Sequence, residues 1–225
     1  MSDEILSAIL SFKSEIDMFS GASCIAVGNS PSTMSEELGH KIDEFDFVIR
    51  FNQARIVGYE KFVGSKTSLR IVNCHIVESS LGNTDCINDC RKVFSNFIED
   101  GFSFFNDCAF FIKDPTGSSK VAAIREKHSD KRIYTTNDQI QSLTEQISPL
   151  PTSGVIGVVL ALSFFRKIHV TGFDFYESKT DHYFEEVEKY DRSCHHLDKE
   201  KELFNFLHTK GVLDFIGQKP YFIEN

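Results

Sequence analysis

The sequence lacks several features that mark membrane, secreted and nucleic-acid-binding proteins. It has no tryptophan, and no apolar run approaches the ~20 residues that a membrane-spanning helix needs. Its first residues, MSDEILSAIL, have neither the basic start nor the cleavage site of a signal peptide. The formal net charge is −9 and no basic stripe is present, which argues against a nucleic-acid partner. We therefore expect a cytoplasmic protein that binds no nucleic acid.

Common metal and nucleotide motifs are absent as well. Of the six cysteines only Cys86 and Cys90 are close, and this pair has no matching Cys/His pair to complete a zinc site. Without an export signal we expect reduced thiols. Neither GxGxxG nor GxxxxGK[ST] occurs, so ordinary dinucleotide and ATP binding lose support.

What is present is an alternation of strand-like and helix-like segments along 225 residues, of which 41% are hydrophobic. This pattern predicts one α/β domain over residues 1–225, a three-layer sandwich with a mostly parallel sheet. The predicted strands include residues 23–27, 47–49, 108–112, 132–136 and 168–172, with further strands ending near Asn73 and after Val212. The predicted helices include residues 85–98, 118–128, 137–147 and 195–210.

Residues 2–19 have the apolar spacing of an amphipathic helix, with Asp3 and Glu4 in its first turn. We expect its apolar face to pack on the core. The alternative is a peripheral contact with the inner face of a membrane, which the shortage of basic residues on the polar face disfavours.

Residues 151–154, Pro-Thr-Ser-Gly, predict a helix start, because Thr or Ser can cap the first free N–H groups and small residues let a ligand approach. Residues 155–165 are apolar all round, as in a buried helix. Arg166 and Lys167 would close this helix, where positive charge suits the dipole.

The segment that follows predicts a ligand site. Residues 168–172 form a buried strand, and residues 173–176 leave its carboxyl end as a loop. A helix N-terminus beside the carboxyl ends of strands is where α/β sheets bind phosphate. The alternative is a core helix and strand without a ligand.

Two other strand ends carry polar turns. Gly28-Asn29-Ser30-Pro31-Ser32 follows the first strand and could hold a phosphate or ribose on backbone N–H groups. Asn52 and Gln53 follow the second strand, where amide residues also fit ordinary turn chemistry.

The polar stretch after residue 176 is a candidate lid, within a loop spanning residues 172–196. It contains His182, Tyr183, Glu185 and Tyr190. His195 follows at the start of a helix, where a ring nitrogen can still face a cleft.

Together these stretches resemble the sialylmotifs of glycosyltransferase family 29, the sialyltransferases. Residues 24–30, 47–54 and 57–67 are similar to the large motif, and residues 151–173 to the small motif. His182-Tyr183-Phe184-Glu185 resembles the third motif, and His195 with Glu200 fits the very short motif HxxxxE. Bacterial family 42 enzymes share the Gly-Asn turn, the Asn-Gln strand end and the Thr-Ser-Gly helix start.

The resemblance implies a Rossmann-like, metal-independent variant of the GT-A fold, no cofactor, and a CMP-activated sugar acid as donor. It implies His195 as the general base and His182 as a phosphate ligand, assisted by the hydroxyl of Tyr176 or Tyr183. The implied donor site comprises Gly28, Asn29, Ser30, Asn52, Gln53, Thr152, Ser153, Gly154, Gly172, Phe173 and Asp174. No Asp-x-Asp element follows a strand in a way that suggests a metal site.

One departure concerns a disulfide. In animal members the large-motif cysteine pairs with a cysteine late in the small motif, but here Phe165 stands where the partner of Cys24 would be. This favours the cytoplasmic interpretation and a bacterial type of enzyme. Its acceptor would be a surface glycan such as lipopolysaccharide or capsule.

Alternatives remain open. The donor sugar could be another CMP-activated ulosonic acid of the Kdo, legionaminic or pseudaminic type. The chain could be a CMP-binding module without catalysis, or an NAD-dependent Rossmann enzyme, which the missing glycine fingerprint disfavours. His196 is the next candidate for the base, and a nucleophilic Cys194 would imply retention of configuration.

Overall fold

A computed structural model describes residues 3–11, 21–73, 109–113, 126, 129, 133–135, 138–184 and 195–217. The strands in these ranges are β1 (Cys24–Val27), β2 (Phe47–Phe51), β3 (Leu69–Asn73), β4 (Ala109–Lys113), β5 (Ile133–Thr135), β6 (Ile168–Thr171) and β7 (Leu213–Phe215). The helices are α1 (Asp3–Ser11), α2 (Gly39–Asp43), α3 (Glu60–Val63), α4 (Asp138–Ile147), α5 (Ser153–Leu162) and α6 (Leu197–Thr209), with a 3-10 helix at Pro31–Ser35.

The described strands form one sheet in the order β5-β4-β3-β2-β1-β6-β7, and every neighbouring pair is parallel. The predicted parallel α/β sheet is therefore confirmed. Since β1 lies between β2 and β6, the strand order reverses at β1. A crevice opens at the carboxyl ends of the strands at such a reversal.

The four residues of β1 are all buried because the sheet is covered on both faces. Cys24 and Ala26 belong to the core shared with α1, α4, α5 and α6. Ile25 and Val27 belong to the smaller core shared with α2 and α3. The structure thus has the three layers that the sequence predicts.

Helix α5 is buried from Val155 to Leu162, as its uniformly apolar sequence predicts. The helix is shorter than predicted and ends at Leu162. Just beyond this end, the Ser163 hydroxyl donates to the Leu160 carbonyl at 2.6 Å, a local bond that competes with the helical pattern. The expected closing role of Arg166 and Lys167 at the helix end is therefore wrong. The Lys167 ammonium lies 2.6 Å from an Asp214 carboxylate oxygen on β7 instead.

Helix α1 packs its apolar face on the core, with Ile9 fully buried and Ile5 and Leu6 against the same cluster. The rest of the predicted N-terminal helix lies outside the described residues, as do the helices predicted at 85–98 and for most of 118–128. Within the ranges given above, no helix is both long enough and apolar enough to cross a bilayer.

Cys24 is a buried free thiol, and burial raises its pKa. Its register partner on β2 is Phe47, and the Phe47 ring packs on Phe165 at 5.4 Å between centroids. Phe165, which stands where a partner cysteine for Cys24 would be, thus packs on the strand next to Cys24.

Candidate functional site

A cleft opens at the carboxyl ends of β1, β2 and β6, beside the N-terminus of α5. Its open space, including the solvent-facing mouth, is about 810 Å³. The predicted residues that line it are Gly28, Asn29, Ser30, Asn52, Thr152, Ser153, Gly154, Gly172, Phe173, Asp174, Tyr176, His182 and His195. Phe51, Phe175, Asp181 and Phe204 also line it and were not predicted.

The floor of the cleft is a close contact between the ends of β1 and β6. The Gly28 N–H donates to the Thr171 carbonyl at 2.8 Å, and the Ser30 N–H donates to the Gly172 carbonyl at 3.1 Å. Gly172 has a φ of +74°, a conformation that favours glycine. These bonds hold the Gly28–Ser30 turn in place at the strand reversal.

The Asn29 side chain is oriented by the neighbouring strand. Its Nδ2 donates to the Phe51 carbonyl at 3.0 Å. The other end of the amide, Oδ1, is buried and has no hydrogen-bond partner in the described part of the chain. Because buried acceptors are normally satisfied, Oδ1 is suited to accept a hydrogen bond from a ligand hydroxyl or amino group.

Asn52 is held in a left-handed conformation at the end of β2, with a φ of +48°. Its N–H donates to the Ile71 carbonyl at 2.8 Å, and its own carbonyl accepts from Arg70 Nη1 at 2.7 Å. The same Arg70 nitrogen donates to the Ala54 carbonyl at 3.3 Å. Arg70 is almost fully buried and so fixes the turn that carries Asn52 to the cleft.

Thr152 caps helix α5, as the sequence predicts. Its hydroxyl oxygen accepts from the Val155 N–H at 3.4 Å and its hydroxyl donates to Glu200 Oε2 at 2.6 Å. The Thr152 N–H donates to Glu200 Oε1 at 2.9 Å. Thr152 therefore shapes the helix start, while Ser153 and Gly154 bring the first turn to the cleft, where the dipole favours an anion.

His195 reaches the cleft from just before α6. Its Nδ1 lies 2.6 Å from the Leu150 carbonyl oxygen, which can only accept a hydrogen bond. The neutral ring therefore carries its hydrogen on Nδ1 and its lone pair on Nε2. This is the tautomer that a proton acceptor needs.

Asp174 organises the loop that follows β6. Its two carboxylate oxygens accept from the Tyr176 N–H at 3.0 Å and the Ser178 N–H at 3.1 Å. Within this loop, Phe175 and Tyr176 adopt positive φ values of 53° and 62°. The buried Asp174 thus supports the backbone that presents Tyr176 to the cleft.

Two of the predicted site residues, Gln53 and Tyr183, are not part of the cleft lining. The Tyr183 N–H donates to the Asn29 carbonyl at 2.9 Å, and its hydroxyl donates to the Arg55 carbonyl. Its ring packs on Tyr59, and burial raises its pKa. Of the two tyrosines expected as alternatives beside the leaving phosphate, Tyr176 lines the cleft and Tyr183 does not.

One wall of the cleft is aromatic. The Phe173 ring packs against Phe51 and Phe204 with centroids 5.6 and 5.2 Å apart, and Phe175 packs on Phe204 at 5.1 Å. His182 also lines the cleft, and its ring is stacked on Phe184 with centroids 5.2 Å apart. Phe173 was expected in the donor site from the family resemblance. Apart from the abundance of Phe, no sequence signal identifies Phe51, Phe175 and Phe204 as cleft residues.

Among the residues that the structure describes, no group of three His, Cys, Asp or Glu side chains is placed to hold a metal ion. The part of the predicted lid that contains Glu185, Tyr190 and Cys194 lies outside the described residues.

The chain is similar to known glycosyltransferases over most of its length. The sequence model of Glycosyltransferase family 29 (sialyltransferase) matches residues 2–212. A beta-galactoside alpha-2,6-sialyltransferase 2 of Gallus gallus is 30% identical over 229 aligned residues, covering 88% of this chain and 40% of that protein. A CMP-N-acetylneuraminate-beta-1,4-galactoside alpha-2,3-sialyltransferase of Rattus norvegicus is 29% identical, covering 94% of this chain and 63% of that protein.

The fold has a solved counterpart. A crystal structure of a mammalian sialyltransferase superposes with a TM-score of 0.65 at 16% sequence identity, covering 96% of this chain and 79% of that one. This likeness concerns the fold, and it confirms the predicted GT-A variant. The chain spans less than two thirds of the length of the curated relatives named above.

Proposed function

The chain belongs to glycosyltransferase family 29, the sialyltransferases, and on that premise we propose that it transfers sialic acid from CMP-sialic acid to a hydroxyl group of a glycan. The observation that carries the proposal is a single cleft that joins His195 to Asn29, Asn52 and Ser153. A proton acceptor thus faces groups suited to a nucleotide across one open space.

The donor has two anionic groups, the phosphate and the sugar carboxylate, and the cleft offers places for both. The N-terminus of α5 at Ser153 and Gly154 attracts an anion through its N–H groups and dipole. His182, which also lines the cleft, can supply a further hydrogen-bond donor. Oδ1 of Asn29, which can only accept, suits a ribose hydroxyl better than it suits the phosphate.

In the proposed step the acceptor hydroxyl attacks C2 of the sugar from the face opposite the phosphate. Nε2 of His195 takes the hydroxyl proton as the new C–O bond forms, which is general-base help worth about 10²–10⁴-fold. The C2–O bond to the phosphate breaks, and its electron pair leaves with CMP. His182 and the Tyr176 hydroxyl stabilise the charge that grows on the leaving phosphate.

The proposal extends to a reaction without a metal ion, since the α5 N-terminus, His182 and Tyr176 together supply the electrostatic stabilisation that a leaving phosphate needs. The cytoplasmic location, the membrane contact and a bacterial surface glycan as acceptor stay predictions.

A ligand panel tests the proposal. Thermal unfolding is measured with CMP, CDP, UDP, NAD, CMP-sialic acid and CMP-Kdo, and a ligand at 100 times its Kd should add about 2.7 kcal/mol to the free energy of unfolding. We expect stabilisation by CMP and by CMP-sialic acid, and faster CMP release when a galactose-terminated acceptor is added. Stabilisation by NAD or UDP but not CMP would contradict the proposal. Turnover of CMP-Kdo but not of CMP-sialic acid would identify Kdo as the transferred sugar and would leave the proposed mechanism unchanged.

A further inference from the structure

Helix α6 contains a buried carboxylate that the chemistry above does not use. Glu200 has no exposed surface. Its Oε1 accepts the Thr152 N–H at 2.9 Å and its Oε2 accepts the Thr152 hydroxyl at 2.6 Å. Burying a carboxylate is costly unless such hydrogen bonds compensate it, so both oxygens are committed to the segment that begins α5.

The same segment is held by His195. The chain runs Leu150-Pro151-Thr152, with the Leu150 carbonyl accepting from His195 and Thr152 bonded to Glu200. Pro151 between them is buried and has a fixed φ, which restricts how the two anchored residues can move relative to each other. His195 and Glu200 therefore hold the segment of residues 150–152, which leads into α5.

The cap of α5 does not by itself require Glu200. The Thr152 hydroxyl oxygen already accepts from the Val155 N–H, and a threonine cap functions without a carboxylate behind it. What Glu200 adds is a link between the segment that carries the base and the helix that faces the donor.

We propose that Glu200 is a positioning residue for the transfer reaction: by holding Thr152 it fixes the Leu150 carbonyl, and this carbonyl fixes the Nδ1–H tautomer of His195 with Nε2 toward the acceptor hydroxyl. The proposal rests on the proposed function for the role of His195. It gives the HxxxxE spacing a physical meaning, since the histidine lies just before the helix and the glutamate lies on the buried side of its first turn.

The first test observes the histidine ring without any reaction. In protein with ¹⁵N-labelled histidine, the His195 signals are identified by their loss in His195→Ala. We expect the Nδ1–H pattern in the unmodified protein and a mixture of both tautomers in Glu200→Gln, which keeps the side-chain volume but places an N–H donor near the Thr152 hydroxyl. Asp198→Asn is the matched control, because Asp198 is an exposed carboxylate in the first turn of the same helix. It should keep the Nδ1–H pattern, and an unchanged pattern in Glu200→Gln would overturn the proposal.

The second test uses kinetics. Glu200→Gln should lower kcat by about 10-fold or more while the KM for the CMP-sugar changes by less than about 3-fold. In a His195→Ala background the same change should lower the residual kcat by less than about 2-fold, because groups that act as a unit are not additive. An equal loss in both backgrounds would mean that Glu200 acts on the fold rather than through His195, and would overturn the proposal.

Two controls separate a failure of folding and a failure of the proposed function from a failure of this proposal. If Glu200→Gln does not give the far-UV circular dichroism of the unmodified protein, Thr152→Val takes its place in the tautomer measurement, since it removes the hydroxyl bond to Glu200 and keeps the branched shape. Failure of the unmodified enzyme to release CMP from CMP-sialic acid would defeat the proposed function. The tautomer measurement would still decide whether Glu200 positions His195.

Discussion

The backbones of Gly28 and Gly172 approach so closely that a Cβ atom built on Gly28 would lie 2.1 Å from the Gly172 carbonyl oxygen. Neither backbone can yield, because the Gly28 N–H and the Ser30 N–H are both bonded across this contact. The turn that bears Asn29 therefore depends on the absence of a side chain at residue 28.

We expect Gly28→Ala to lower the free energy of unfolding by about 2–4 kcal/mol and to weaken CMP binding, since large losses come from backbone clashes of this kind. Urea unfolding and CMP titration measure the two effects. Gly21→Ala is the control: Gly21 has a φ of +85° with nothing within 4 Å of the added atom, so only the conformational cost of about 1 kcal/mol applies. Equal losses in the two variants would contradict the close-contact argument.

For the proposed base, His195→Ala should lower kcat by about 10²-fold or more and leave CMP affinity nearly unchanged. The neighbouring His196→Ala should retain activity, because His196 is exposed and its side chain does not cap α6. Steady-state kinetics and CMP titration distinguish these outcomes. Near-normal turnover in His195→Ala, or loss of turnover in His196→Ala, would move the base to another residue.

Much of the fold could be predicted because β1 and α5 are apolar on every side. Short or uniformly apolar segments of that kind are buried wherever they lie, so sequence and structure agree on them. Helices α2 and α3 were not predicted, because five and four residues are too few to show a helical period. They are held by tertiary contacts, including the packing of Val63 in the second core.

The cleft was predictable where residues follow parallel strands, since all such strand ends meet at one edge of the sheet. Phe204 was not, because a phenylalanine beside Leu203 on α6 has the pattern of an ordinary core residue. The choice between Tyr176 and Tyr183 was also beyond the sequence. It depends on a distant backbone carbonyl, that of Arg55, which accepts from Tyr183.

That choice predicts a contrast between two conservative changes. Tyr176→Phe should lower kcat by about 10-fold or more, since it removes the hydroxyl that we propose stabilises the leaving phosphate. Tyr183→Phe should keep kcat within about 3-fold and lower the free energy of unfolding by about 0.5–1.5 kcal/mol, the usual cost of one lost hydrogen bond. Both values come from kinetics and urea unfolding of the same preparations. The reverse pattern would return the phosphate role to Tyr183.

The hydrogen bonds between Asp43, the last residue of α2, and the loop after α3 should make the free energy of unfolding depend on pH in acid. Burial raises the pKa of Asp43, but hydrogen bonds from the Lys66 and Ser65 N–H groups, the Ser65 hydroxyl and the nearby Arg50 outweigh it, so the pKa of Asp43 is lowered overall. A lowered folded-state pKa adds stability above the unfolded value of about 3.9 and loses it as pH falls through the folded value. The difference in free energy of unfolding between the unmodified protein and Asp43→Asn should therefore be constant near neutral pH and shrink below pH about 4. A difference that grows in acid would contradict this sign.

The orientation of the Asn29 amide predicts how two substitutions at this residue should change donor binding. Nδ2 is bonded to the Phe51 carbonyl, so Asn29→Asp would place a carboxylate oxygen against that carbonyl and a negative charge beside an anionic ligand. Asn29→Ala removes the amide without adding charge. We expect both changes to weaken CMP binding, with a loss of about 5-fold for alanine and a larger loss for aspartate, because one lost hydrogen bond is worth about 1 kcal/mol and like charges add to it. Titration with cytidine separates the two terms: without a phosphate, the excess loss caused by aspartate should decrease. If aspartate binds CMP as well as asparagine does, then Asn29 does not face the nucleotide as proposed.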